Sequence, residues 1–458
     1  MRRLLILCIL GFVMTPVWAQ VHEYNLDNGM KLLVREDHRA PVAVSQVWYK
    51  VGASYEHNGI TGISHVLEHM MFKGTKEHGP GEFSRIIAEN GGRENAFTSK
   101  DYTAYFQTLE KSRLPVSFEL EADRMRNLTL PEEEFQKERE VVKEERKLRT
   151  EDKPRSLTYE QFNATAFVTS PYRHPTIGWM DDLNNLTVQD LKQWYRQWYA
   201  PNNATLVVVG DVDPDEVYDL ARKYFGRLPS VELPEIKPRV ETAQLGERRI
   251  TVRQPAELPY LMIGYHVPVL KTADPEWEAY ALEVLSGILS SGDSARLPSR
   301  LVRGRQIAAG ADAGYDLYSR QEDQFLFSAT PARGHDISEL ENALLEEIER
   351  LKNEPVSEQE LARIKAQVVA SDVYEKDSVF YQAMQMGTLE TVGLGWQVMD
   401  EYRDKINAVT PEQIQAVARK YLQNSNRTVA VLDPLPINGE SADKEMPQQS
   451  TDSGPSDK

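Results

Sequence analysis

Two imidazoles and a carboxylate fall within five residues in the stretch Thr61-Gly-Ile-Ser-His65-Val-Leu-Glu68-His69-Met-Met-Phe-Lys-Gly-Thr75. Residues three and four apart share one face of a helix, so His65, Glu68 and His69 point the same way. Neutral imidazole is a good zinc ligand, and two from adjacent turns can share one ion. Glu68 is placed to take a proton from an attacking water and hand it to a leaving amine. The order His-x-x-Glu-His reverses the commoner His-Glu-x-x-His. Gly62 and Gly74 punctuate the run, and Val66, Leu67, Met70, Met71 and Phe72 can bury the rest of the helix. An amphipathic helix with two chance histidines is the competing reading, and a third ligand must come from elsewhere.

The elements around this helix are legible from pattern. Alternating strands flank an Asp27-Asn28-Gly29 turn, and Val42 to Val51 is a third strand. Helices are expected over Glu82–Asn90 and Ser112–Asn127, with strands after the Gly91-Gly92 turn up to Leu109. Pro131 followed by acids starts a further, highly charged helix. Glu138 and Glu145 are seven apart on it and share a face, and Val141, Val142 and Leu148 argue that part of it is buried. Either Glu144 or Glu145 could complete a metal site. Two imidazoles and one carboxylate leave a tetrahedral position open for water, the pattern of catalytic rather than structural zinc.

The chain has 458 residues, enough for two to four domains, and a formal net charge of −17, which argues against nucleic acid as a partner. Residues 1–19 combine a basic start, a short apolar run and Val17-Trp18-Ala19, and read as a secretory signal cleaved before Gln20. The only cysteine, Cys8, lies in that segment, so the exported protein needs no disulfide. No later apolar run is long enough to span a membrane. A periplasmic location follows as the expectation.

These motifs resemble those of the pitrilysin/insulysin-type (inverted zincin) zinc metallopeptidases, which include the mitochondrial processing peptidase. The family's spacing from the second histidine puts its ligand glutamate at Glu145, with a supporting glutamate at Glu138. The segment Gly91-Gly92-x-x-Asn95-Ala96-Phe97-Thr98-x-x-Asp101 is similar to the family's strand that binds substrate backbone, and Pro171-Tyr-Arg-His-Pro175-x-Ile-Gly178 is likewise similar. The resemblance covers nearly all of residues 20–434. It implies one Zn2+ per chain on His65, His69 and Glu145, with Glu68 as general base and Asn95, Ala96, Phe97 and Thr98 along the substrate. The other histidines (22, 38, 57, 78, 174, 266 and 335) have no partner at ligand spacing and read as surface or packing residues.

Leu186–Val209 lies without gaps on Val409–Leu432 at an offset of 223 residues, and each reads as capped helix, polar turn, apolar strand. The expected fold is therefore α+β, with two homologous domains, each an antiparallel-rich sheet flanked by helices. The expected boundaries are 20–230 for the metal-binding domain, 231–241 for a proline-stiffened linker, 242–434 for an inactive repeat and 435–458 for a disordered tail. The resemblance makes the pair half of a clamshell whose far wall supplies an arginine and, seven residues later, a tyrosine. Arg303 takes the arginine's place, but Gly310 stands where the tyrosine belongs, and Tyr315 is out of register. The expectation is an endopeptidase acting on peptides or unfolded segments as a dimer, with a paralogous partner supplying the Arg/Tyr pair. The competing function is a non-catalytic peptide-binding or assembly subunit on the same fold.

Overall fold

A computed structural model describes residues 20–437. The expected signal peptide, and the expected tail from 438 onward, lie outside the described residues. Asp27-Asn28-Gly29 reverses the chain between β1 (Val21–Asn25) and β2 (Lys31–Glu36), and Gly29 takes the positive φ of 86° that this turn needs. With β3 (Val42–Tyr49), β4 (Arg93–Thr98), β5 (Thr103–Glu110) and β6 (Ala204–Gly210) they form a six-stranded sheet in the order β1-β2-β6-β3-β5-β4. Every residue of β6 is buried, as the unbroken apolar run Leu206–Val209 requires of a strand covered on both faces. β4 is an outer strand of this sheet.

A second sheet repeats the plan. β7 (Arg248–Pro255), β8 (Tyr260–Val267), β9 (Ala308–Gly314), β10 (Asp323–Pro331) and β11 (Arg427–Leu435) run in the order β7-β11-β8-β10-β9. That is the first sheet's order without a counterpart of β1. The parallel pair β2/β6 joins Lys31 to Thr205, and its counterpart β7/β11 joins Arg248 to Thr428. The repeat extends to single hydrogen bonds. Thr187 and Asp190 form a capping box on the helix Val188–Trp198, and Thr410 and Gln413 form one on the helix Pro411–Tyr421. Asn203 Nδ2 donates to the Trp198 carbonyl, and Asn426 Nδ2 to the Tyr421 carbonyl. The fold is thus α+β, with two similar halves.

The halves exchange helices. Pro154–Ala166, which precedes the proline-rich segment, lies on the second sheet and packs Phe162 and Ala166 against Met262 and Ala430. Val379–Val392, from the second half, lies on the first sheet, with Ala383, Met386 and Leu389 against Leu33, Val44, Trp48 and Val207. Each fully buried Val, Leu, Met or Phe among these contributes about 1.5–3 kcal/mol. Neither sheet buries both faces without the other half's helix. β11 continues through Leu435, which pairs with Pro255, one residue past the boundary expected from composition. Among the described residues no helix is long and apolar enough to cross a membrane.

Candidate active site

The helix Ile63–Met70 carries both histidines and Glu68. It starts at Gly62, whose φ of 86° favours glycine; a Cβ there would lie 2.7 Å from the Ile177 carbonyl oxygen and 2.9 Å from Gly178 Cα. No side chain at the first helical position caps it. Instead Glu56 reaches forward, its carboxylate accepting the Gly62 N–H at 2.7 Å and the Ser64 N–H at 2.9 Å. Burial pushes Glu56 up to about 7 against the pull of those two donors. Asp182 holds the preceding turn by accepting from Thr61 Oγ1 at 2.5 Å.

The acidic helix Glu132–Arg146 packs against the histidine helix through Phe135 and Val142, with Glu138 and Arg146 buried on the same stripe. Val141 and Leu148, expected to be buried, are 48% and 63% exposed. The stripe is spaced by three and four residues, and a neighbouring position is rotated about 100° away from it. Arg146 locks the end of the helix with bonds of 2.7 and 2.9 Å to Glu160 and 2.8 Å to the Gly178 carbonyl. A π-helical turn, Lys147–Glu151, follows directly after it.

From these two helices His65, His69 and Glu145 converge, their donor atoms all within 4.8 Å of one another. Glu145 Oε2 lies 3.7 Å from His65 Nε2 and 3.5 Å from His69 Nε2. A tetrahedral zinc with bonds near 2.0–2.1 Å sets its ligand atoms about 3.4 Å apart, and the two carboxylate–imidazole distances of 3.7 and 3.5 Å come within a few tenths of an ångström of that spacing. The other oxygen of Glu145 is taken by Arg149 Nη1 at 2.7 Å, which leaves Oε2 for the imidazoles. Burial, then the charges of His69 and Arg149, push His65 down to about 3, so the ring is neutral at pH 7 and one nitrogen offers a lone pair. Glu138 Oε2 sits 3.0 Å from His69 Nδ1, and Lys73 Nζ holds its other oxygen at 2.7 Å. That contact fixes the His69 ring with Nε2 toward Glu145. Glu144, the alternative third ligand, is 63% exposed at its side chain and pairs with Lys147 at 2.5 Å.

Glu68 lies on the same helix face. Thr98 Oγ1 donates to its Oε2 at 2.5 Å. Burial raises the Glu68 pKa, while that hydrogen bond and the nearby His69 draw it back. Thr98 ends β4, so one strand carries both the contact to Glu68 and the segment Asn95–Thr98. Asn95 is exposed and Ala96, Phe97 and Thr98 are half-buried along this outer strand. Arg303 is not brought to this cluster; it is exposed in a π-helical turn of the second half and donates to the Asp293 carbonyl. Tyr315 Oη is engaged with the Pro268 carbonyl at 2.7 Å, and Gly310 lies in β9.

Several contributors went unread in the sequence. Thr98 was expected along the substrate rather than on Glu68. Glu56, Arg146, Lys73 and Arg149 belong to no motif with a spacing rule; their roles arise from contacts across loops and helix ends. The capping by Glu56 skips six residues, outside the three-residue pattern of a capping box.

Comparison with known proteins agrees with this architecture. Residues 31–178 match the model of Insulinase (Peptidase family M16), and residues 185–368 match that of the Peptidase M16 inactive domain. The zinc protease PqqE of Helicobacter pylori is 33% identical over 417 residues, covering 90% of this chain and 92% of that protein. The uncharacterized zinc protease YmxG of Bacillus subtilis is 26% identical, covering 90% and 98%. A crystal structure of a protease from Helicobacter pylori superposes with a TM-score of 0.86 at 32% identity, over 91% of this chain and all of that one. The periplasmic protease PqqL of Escherichia coli shares the fold, with a TM-score of 0.77 at 20% identity, and the match spans 94% of this chain but only 52% of PqqL. Two family models laid end to end, and a relative one-third identical over nearly its whole length, place the chain in the M16 peptidase family.

Proposed function

We propose that the chain is the metal-bearing subunit of a zinc endopeptidase that cuts extended peptides or unfolded segments. The observation that carries this is the convergence of His65, His69 and Glu145 beside Glu68, in a chain whose relatives are named zinc proteases. One zinc, held by these three side chains, supplies a Lewis acid that lowers the pKa of water and polarises the scissile carbonyl. Glu68 takes the proton of the attacking water and delivers it to the departing amine, and a carboxylate raised by burial is suited to both steps. Thr98 fixes which Glu68 oxygen is free to do so. An extended substrate adds to the outer edge of β4 along Asn95, Ala96 and Phe97; main-chain hydrogen bonds of this kind give affinity with little sequence preference.

The chain acts as a dimer. It aligns with about half of PqqL, so a second chain supplies the far wall of the chamber. Gly310 leaves Arg303 without its tyrosine, and a paralogous partner bringing an Arg/Tyr pair makes good that loss. Residues 1–19 direct export, and the periplasm, where PqqL is placed by its description, is the compartment. The same reading divides the chain into domains 20–230 and 242–434 about a linker at 231–241, with the exchanged helices crossing that division.

Glu68→Gln tests the reading. The variant retains zinc by metal analysis and loses about 10²–10⁴-fold in cleavage of an unfolded peptide, the range for a general acid–base group, whereas His65→Ala loses the zinc itself. Wild-type cleavage by Glu68→Gln overturns the assignment.

A further inference from the structure

We propose that Arg320, from the half without the metal motif, is a positioning residue for the reaction: it sets the turn that follows β4 and, through Thr98, the orientation of Glu68. The proposal rests on the zinc-peptidase reading above.

Thr98 is the last residue of β4, and Ser99–Tyr102 joins it to β5. Within the turn, Ser99 N–H donates to the Tyr102 carbonyl at 2.8 Å. Its anchor is the segment Gly52–Tyr55, where Ala53 N–H reaches the Ser99 carbonyl at 3.0 Å and Ser54 N–H the Lys100 carbonyl at 2.7 Å. The approach is so close that a Cβ on Gly52 would lie 2.4 Å from the Ser99 oxygen.

Asp101, 4% exposed, is the hub. Its carboxylate accepts from Ser54 Oγ at 2.7 Å, from Arg320 Nε at 3.1 Å, from the Arg320 backbone N–H at 3.1 Å and from Tyr172 Oη. The same guanidinium donates to Ser54 Oγ at 2.7 Å and lies 4.4 Å over the Tyr55 ring. Lys100 pairs with Asp323 of the second half at 3.1 Å. Arg320 lies in the loop between β9 and β10, and Asp323 opens β10; that loop is the counterpart of the turn between β4 and β5. The two equivalent loops therefore meet, and the second half's loop grips the first half's.

One guanidinium thus ties both segments that flank Glu68. On one side is the turn after Thr98. On the other is Ser54-Tyr55, which leads into Glu56 and so into the cap of the histidine helix. Removing Arg320 strands a buried carboxylate without its cation, a costly state that is relieved by shifting the turn. A catalytic constellation tolerates about half an ångström of such displacement. This gives the repeat half a task within its own chain.

The experiment uses the exported chain together with the partner chain that co-purifies with it, and three variants: Arg320→Ala, Arg320→Lys and Thr98→Val, with the double variant Arg320→Ala/Thr98→Val. In the metal-free protein, hydrogen exchange at Ser54 and Ser99 is faster in Arg320→Ala than in wild type, and intermediate in Arg320→Lys, which keeps the charge but not the fork. In zinc-loaded protein, Arg320→Ala lowers kcat by about tenfold or more, with zinc content unchanged and KM shifted less than about threefold, because substrate pairs upstream of Thr98. In the Thr98→Val background the same change costs less than about twofold, as it must if Arg320 works through Thr98. Independent, multiplying effects overturn the proposal, as does unchanged kcat or unchanged exchange at Ser54 and Ser99. Should Arg320→Ala not fold, the same comparisons in Arg320→Lys decide it. Zinc-loaded wild type that cleaves no peptide with that partner chain present overturns the functional reading instead, while an active wild-type complex with an indifferent Arg320 variant overturns only the positioning role.

Discussion

Glu138 offers a measure of how far the metal site depends on residues that never touch the ion. Its carboxylate bridges His69 Nδ1 at 3.0 Å and Lys73 Nζ at 2.7 Å. Glu138→Ala removes the acceptor that holds the His69 ring and leaves the Lys73 ammonium facing the imidazole without its counter-charge. Loss of such a partner typically costs 10–100-fold in metal affinity, or about 1.4–2.7 kcal/mol. Glu138→Gln is milder. Its amide oxygen can still accept from Nδ1, but a neutral acceptor makes a bond about half as strong, and its NH2 group meets Lys73 donor to donor. Lys73, 29% exposed, can swing away, so the expected loss is about tenfold. Competition against a chromogenic chelator reads these affinities without any need for turnover. Glu144→Ala is the control: its partner Lys147 is on the surface, and zinc affinity is unchanged. Wild-type affinity in Glu138→Ala, or a loss in Glu144→Ala, refutes the geometric reasoning.

Phe162→Ala lies in the first half yet acts on the second sheet. The side chain is fully buried against Met262 and Ala430, and its loss costs about 3–5 kcal/mol. Hydrogen exchange accelerating in β8 and β11 checks this, whereas loosening confined to the first half contradicts the helix exchange. His174 links stability to pH. Burial, then the charge of Arg173, lowers it from 6.5 to about 4, and Nδ1 accepts from Trp179 Nε1 at 3.4 Å. Between those values the unfolded chain binds a proton that the folded one refuses, so stability falls as pH drops from 6.5 toward 4. From pH 7 to pH 5 the contribution is about 2 kcal/mol, and urea unfolding of His174→Gln at both pH values should lack that increment.

Local signals were enough for much of the fold. Turn chemistry at Asp27-Asn28-Gly29, the unbroken apolar run of β6 and the paired cap-helix-strand units each follow from rules acting over a few residues. The repeat at an offset of 223 residues foretold two similar halves; that their sheets share one strand order apart from β1 is what the structure adds. What escaped is the exchange of Pro154–Ala166 and Val379–Val392 between halves, because an apolar helix stripe states that it must be covered but not by which sheet.

The site divides along the same line. Sequence alone put His65, Glu68 and His69 on one face, since helical spacing is local and leaves little choice. It left Glu144 and Glu145 as equals. Tertiary structure separates them: the stripe of Phe135, Glu138 and Val142 seats the acidic helix, and one residue of rotation sends Glu144 to solvent and Glu145 to the imidazoles. It also decides that Glu56 caps the histidine helix, that Thr98 holds Glu68, and that Arg320 reaches Asp101 from the other half. Those contacts join residues distant in the chain, and only the packed molecule fixes which of them meet.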